Sequence, residues 1–190
     1  MSRNMLIAGY SDRGTAAVLA VAFHSHGDCL LVSARNPSKT ASLNVLGIET
    51  LPLDVQSEES VKACIQQVSA LTGGSLDVLV NNAGTAYYMP VFDSAISEME
   101  KLFDLNVLSM VHKMKHLFAI LRNSKHGGHL GSNTSMAGSF SMPWQGIWRG
   151  TSAFKLCTGR HHIIAWDACE LHDIRVGYCG GRSQSGVEEQ

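Results

Sequence analysis

"LDVLVNNAG", residues 76–84, is a short apolar run that stops at two asparagines and a glycine. Leu76, Val78, Leu79 and Val80 leave it no polar face, so it reads as a strand buried on both sides. The asparagines and glycine mark the turn at its carboxyl end. Working outward, the same pattern recurs. "NMLIAG" (4–9), "CLLVSA" (29–34) and "IETLPLDV" (48–55) are strand candidates ahead of it, and "HLGSNTS" (129–135) and "IRVGY" (174–178) are weaker ones behind. Helical patterns lie between them at 14–25, 57–71, 94–122 and 152–171. The one at 57 opens with a serine followed by glutamates, the composition of a capped helix start. Apolar strands alternating with helices imply βαβ units and a parallel sheet covered on both faces. The expected fold is α/β, a doubly wound sheet of about six strands in the order 3-2-1-4-5-6 with right-handed crossovers.

The bulk numbers agree with one globular domain. The chain has 190 residues, 45% hydrophobic and 16% charged, enough to bury a sizeable core. A net charge of −1 gives no electrostatic reason to bind nucleic acid or an anionic membrane. Five cysteines (Cys29, Cys64, Cys157, Cys169 and Cys179) are scattered with no CxxC pair, which reads as reduced thiols. Nine histidines are dispersed without ligand spacing, so no metal is expected. The apolar stretch in "MSRNMLIAGY" is too short for a signal segment, and no run approaches a transmembrane length. The expected location is the cytoplasm.

In a doubly wound sheet, ligands sit at the carboxyl ends of the strands. "AGYSDRGT" (8–15) joins the first strand to the first helix. There Gly9, Gly14 and Thr15 are candidates to let backbone N–H groups and a helix N-terminus approach a pyrophosphate. "ARNPSK" (34–39) follows the second strand and offers Arg35 and Lys39 but no carboxylate. A basic pair at that place favours the 2′-phosphate of NADP(H) over the bare ribose of NAD(H). "LDV" (53–55) and "NNAG" (81–84) close the third and fourth strands.

With "FDLNV" (103–107) and "NTSMAG" (133–138), these motifs in this order resemble the short-chain dehydrogenase/reductases. Within them the likeness is to the NADPH-dependent acyldihydroxyacetone-phosphate reductase-like group. The resemblance implies a Rossmann-type domain over 1–179, followed by a flexible tail over 180–190, and NADP(H) as cofactor. It further implies that Gly9 through Thr15 cradle the pyrophosphate, Asp54 meets the adenine amino group and Asn81 lines the adenosine ribose. Ser135 would polarise the substrate carbonyl and Asn106 would hold a water of the proton relay. The implied partners are a small-molecule carbonyl or alcohol in lipid or secondary metabolism, and a second copy of the chain in a homo-oligomer.

The sequence departs from the family's pattern where the chemistry is done. The family places its proton-donating tyrosine thirteen residues after the serine, and a lysine four further on. Counting from Ser135 reaches Trp148 and then Ser152. Indole does not titrate in the relevant range. Lys155 lies on the same helical face one turn later, and Tyr87 and Tyr88 follow "NNAG". Ala8, Arg13 and Ala16 replace residues expected in the phosphate turn. The chain also stops soon after the sixth strand, where the resemblance leads one to expect a lid and a seventh strand. Slow oxidoreductase activity is one expectation. A catalytically inactive or non-redox member of the family (a cofactor-binding or assembly protein, an isomerase or a dehydratase) and a truncated gene product are the alternatives.

Overall fold

Met5, Leu6, Ile7 and Ala8 are all buried in strand β1 (Asn4–Ala8) although their side chains alternate between two faces. A strand of this kind needs cover on both sides, and the rest of the chain supplies it. The computed structural model describes residues 2–11 and 14–134, and the backbone of 175–177. Its elements after β1 are α1 (Thr15–Ser25), β2 (Cys29–Ala34), α2 (Ala41–Val45), β3 (Glu49–Pro52), α3 (Glu58–Thr72), β4 (Val78–Asn81), α4 (Ile96–Phe103), α5 (Ser109–Arg122), β5 (His129–Ser132) and β6 (Arg175–Gly177). A π-helical segment, Asp104–Leu108, joins α4 to α5. The strands form one sheet in the order β3-β2-β1-β4-β5-β6, and every pairing is parallel, as the sequence predicts.

Strand alternation divides the core in two. Met5 and Ile7, Leu30 and Val32, and Val80 face α1 and α2, where they meet Ala16, Ala20 and Leu43. Leu6, Leu31 and Leu79 face the other way, onto Val61, Cys64 and Val68 of α3 and Met110, Met114 and Leu117 of α5. Burial pushes the Cys64 thiol up to about 11, so it is a packing group. Helix α3 is bounded as the sequence suggests. Ser57 Oγ accepts the Ser60 N–H at 3.2 Å, and Gly73 closes the helix in a left-handed conformation. At the amino edge of the sheet, Arg3 grips Asp28 with two bonds of 3.0 and 2.7 Å. That guanidinium holds the Asp28 carboxyl below the usual carboxylate range.

Two local expectations shift. The third strand is shorter than 48–55, because Asp54 Oδ1 accepts the Gln56 N–H at 3.1 Å and turns the chain. "PSKT", where the sequence pattern marks no element, forms a 3₁₀ turn (Pro37–Thr40) leading into α2. The helical pattern expected over 152–171 lies outside the described residues.

Candidate dinucleotide site

Register brings the motif ends into line. Ala8 of β1 stands opposite Ser33 of β2 and Asn81 of β4, and Asn81 stands opposite Ser132 of β5. The turns leaving these strands are then tied together. The N–H groups of Gly9 and Tyr10 both donate to Ser33 O, at 3.1 and 2.8 Å, and those of Asn82 and Ala83 both donate to Ala8 O, at 3.0 and 2.9 Å. Asn82 Nδ2 donates to Gly9 O at 2.5 Å, and Asn133 Nδ2 donates to Asn82 Oδ1 at 2.8 Å. Gly9, with φ +99°, passes so close to the next turn that a Cβ would lie 2.5 Å from Ala83 Cα. Only glycine meets both demands.

Asn106 closes the "NNAGT" turn from behind. It sits buried in the π segment, where its Oδ1 accepts the Thr85 N–H and its Nδ2 donates to Thr85 O, both at 2.9 Å. Single π turns of this kind are common at functional sites. Asn81 is 3% exposed, and neither polar atom of its side chain has a partner among the described residues. A buried amide in that state calls for one.

These turns line a cleft of about 240 Å³. Leu53, Val55 and Leu105 give it apolar walls, the backbone of Gly9 to Ser11 and of Asn82 to Thr85 gives it polar groups, and Arg35 stands exposed at its rim. Gly14 caps the start of α1, whose first turn carries no carboxylate. Within α1 itself, no carboxylate occupies the positive end of the helix. The donor set fits a dinucleotide: a backbone crossing with no room for a side chain at Gly9, a helix start with no carboxylate in its first turn, apolar walls and a cation at the rim. Of the residues expected from sequence, Gly9 and Arg35 share this cleft. Asp54 is half-buried beside Val55, with its N–H donating to Ser60 Oγ at 2.9 Å. Gly14 and Thr15 stand at the start of α1, and Asn81 and Asn106 lie behind the cleft wall. Lys39 lies on the Pro37–Thr40 turn just past Arg35. Arg13, Ser135, Trp148, Ser152 and Lys155 lie outside the described residues. Tyr87 lines an adjoining cleft with Gln56, Lys101 and Leu102.

Sequence reasoning missed Asn82, Asn133 and Leu105. The doubled asparagine was the available signal, since one of the pair points into the sheet and the other into the turn. Among the described residues there is no metal-binding cluster of three or more histidines, cysteines or carboxylates. No described helix is long and apolar enough to cross a membrane.

Comparison with known proteins agrees with this geometry. A short-chain dehydrogenase/reductase of Pestalotiopsis microspora is 50% identical over 105 residues, which is 55% of this chain and 38% of that protein. The NADPH-dependent 1-acyldihydroxyacetone phosphate reductase of Schizosaccharomyces pombe is 37% identical over 111 residues, 58% of this chain and 38% of that protein. The chain thus spans well under two thirds of these relatives. A solved short-chain dehydrogenase of Mycobacterium smegmatis superposes with a TM-score of 0.81 at 24% identity, over 94% of this chain and 77% of that one. An alcohol dehydrogenase of Thermococcus sibiricus, complexed with 5-hydroxy-NADP, gives 0.79 at 23% over 92% and 74%. At such identities the superpositions speak for the fold alone. The family model of the short chain dehydrogenases matches residues 3–153, a span that takes in the Gly9 cradle, the crossed turns and the Asn106 brace, and the chain belongs to that family.

Proposed function

We propose that the protein is an NADP(H)-dependent oxidoreductase acting on a small carbonyl or alcohol of lipid or secondary metabolism, with slow turnover. The observation that carries this reading is the Gly9–Ala83 crossing, which leaves bare backbone at that point of the cleft for a ligand to approach. Gly9, Gly14 and Thr15 would hold the pyrophosphate, Asp54 the adenosine, with Asn81 supporting that wall from behind, and Arg35 with Lys39 the 2′-phosphate. The names of the Schizosaccharomyces pombe and Thermococcus sibiricus relatives support the phosphorylated cofactor. When bound, that cofactor supplies or takes up a hydride. In the chain, Ser135 would hydrogen-bond the substrate oxygen and Asn106 would fix a water behind it. With Trp148 and Ser152 where the family has tyrosine and lysine, the sequence lacks the family's proton donor at its usual position. That substitution also favours a second reading, a cofactor-binding protein without redox turnover.

Isothermal titration calorimetry distinguishes the cofactors. NADPH is expected to bind at least about tenfold more tightly than NADH, because the phosphate gains a charge-assisted contact. Arg35→Ala with Lys39→Ala should erase most of that preference. Equal affinities, unchanged in the double variant, would overturn the assignment. No heat with either cofactor would overturn both readings.

A further inference from the structure

The histidines lack ligand spacing along most of the chain, but not on helix α5. There "HKMKH" (112–116) sets His112 and His116 four residues apart within Ser109–Arg122. At that spacing two side chains stand one above the other on a single face, with Cβ atoms about 5–6 Å apart. Lys113 and Met114 between them are buried, whereas His112 is exposed and His116 half-buried. Neither imidazole makes a hydrogen bond or ion pair among the described residues, so the ring nitrogens are not already engaged.

Both rings lie on the flank of α5 that runs beside α3. Val61, Cys64 and Val68 of α3 pack with Met110, Met114 and Leu117 of α5. Glu58, one turn before Val61, is close enough to feel both histidines. Its carboxyl is held below its ordinary value by Lys62, bonded at 2.6 Å, and in smaller part by His116 and His112. This flank does not depend on the later part of the chain. β5 lies on the far side of β4 from β1, so a right-handed crossover leading on from β5 places its helix against the opposite flank of α5.

The charges around the pair balance: Glu58, Glu59 and Lys62 on α3, and Lys115 on α5. Nothing here gathers oxygen ligands for magnesium or calcium. Two neutral imidazoles within a turn of each other suit zinc, nickel or copper instead. We infer that His112 and His116 form a two-imidazole clip for a divalent transition-metal ion, with water completing its shell. Glu58 acts as a nearby charge and not as a ligand, in keeping with the lack of a three-ligand cluster among the described residues. The clip begins six residues after Asn106, whose amide holds the Thr85 turn. A bound ion therefore fastens the helix just beyond that brace, and it stabilises the folded chain by mass action.

Isothermal titration calorimetry of the untagged full chain, with zinc chloride and separately with copper(II) chloride, is the direct measurement. Both ions should bind, copper more tightly than zinc, and magnesium chloride should give no heat. His112→Gln or His116→Gln should weaken zinc binding at least about tenfold, because a single imidazole cannot chelate. Glu58→Gln should change it by less than about threefold, as expected of an exposed charge. Copper(II) electron paramagnetic resonance should show coupling to two nitrogens in the parent and to fewer in either histidine variant. Both positions reach the surface, so circular dichroism should report unchanged helix content. Zinc should raise the Tm of the parent and leave that of the double histidine variant where it was. A parent that binds neither ion would overturn the proposal. So would zinc binding that survives the loss of both histidines, or a loss on Glu58→Gln as large as that from either histidine.

Discussion

At position 9 a side chain has nowhere to go. The φ of +99° disfavours any L side chain, and the nearest atoms to a Cβ are Ala83 Cα, Cβ and N, all within 2.6 Å. Two of these belong to backbone already fixed by the bond from Ala83 N to Ala8 O. Gly14 presents the opposite case. Its φ is −86°, and the closest contact of a Cβ there would be Ser11 Oγ, which can rotate away. Gly9→Ala is therefore expected to cost about 3 kcal/mol in urea unfolding. It should also abolish NADPH binding under conditions where the protein remains folded, because Ala83 cannot move without dragging Asn82. Gly14→Ala should cost under about 1 kcal/mol and leave measurable binding. Equal losses in the two variants would show that the crossing is not what constrains the turn. In the sequence the two glycines look alike. What separates them is a turn that follows β4, and no reading of the first turn alone could supply it.

The elements show a similar division between pattern and partner. Residues 94–122 carry an apolar periodicity that predicts helix, and helix is what forms. Neither proline nor glycine occurs between Ile96 and Arg122 to announce the π segment. The widened turn places Asn106 inside, where its amide clamps both backbone groups of Thr85, and a count of apolar positions does not register an asparagine turned inward. The Pro37–Thr40 turn was missed for the opposite reason. Proline reads as a break, yet its fixed φ suits the first position of a helical turn, and Asn36 Oδ1 accepts the Ser38 N–H at 3.0 Å to start it. Asn106→Ala is expected to destabilise the fold by about 1–3 kcal/mol, the range for losing partners of buried polar groups. Hydrogen exchange should rise at Thr85, whose N–H loses its acceptor, while α3 stays protected. Faster exchange spread evenly over both helices would mean that Asn106 supports packing in general rather than this turn.

Over the whole molecule, the fold was legible because the central strands β1, β2 and β4 are buried on both faces, and that demand is written in runs such as "NMLIA" and "DVLVN". The site was legible as a set of strand ends but not as a set of contacts, since the ties from Asn82 to Gly9 and from Asn133 to Asn82 join turns distant in sequence. Binding and chemistry also separate at this scale. The cradle belongs to residues before 110, whereas the substituted positions, Trp148 and Ser152, belong to the later part of the chain. NADPH affinity and carbonyl reduction should therefore respond independently to mutation. At about 100 times its dissociation constant, NADPH is expected to add about 2.7 kcal/mol of stability, a rise of roughly 5–10 °C in Tm for a chain of this size. Trp148→Tyr with Ser152→Lys should leave that rise unchanged while increasing carbonyl reduction by about 10²- to 10⁴-fold, the usual worth of a general acid. Adding Ser135→Ala should remove the gain, because the new acid then has no positioned oxygen to protonate. If the unmodified chain already oxidises NADPH briskly with a carbonyl acceptor, another residue donates the proton, and Tyr87 in the adjoining cleft is the first to test. If the double change adds nothing while the thermal shift persists, the cleft binds its cofactor for a purpose other than reduction.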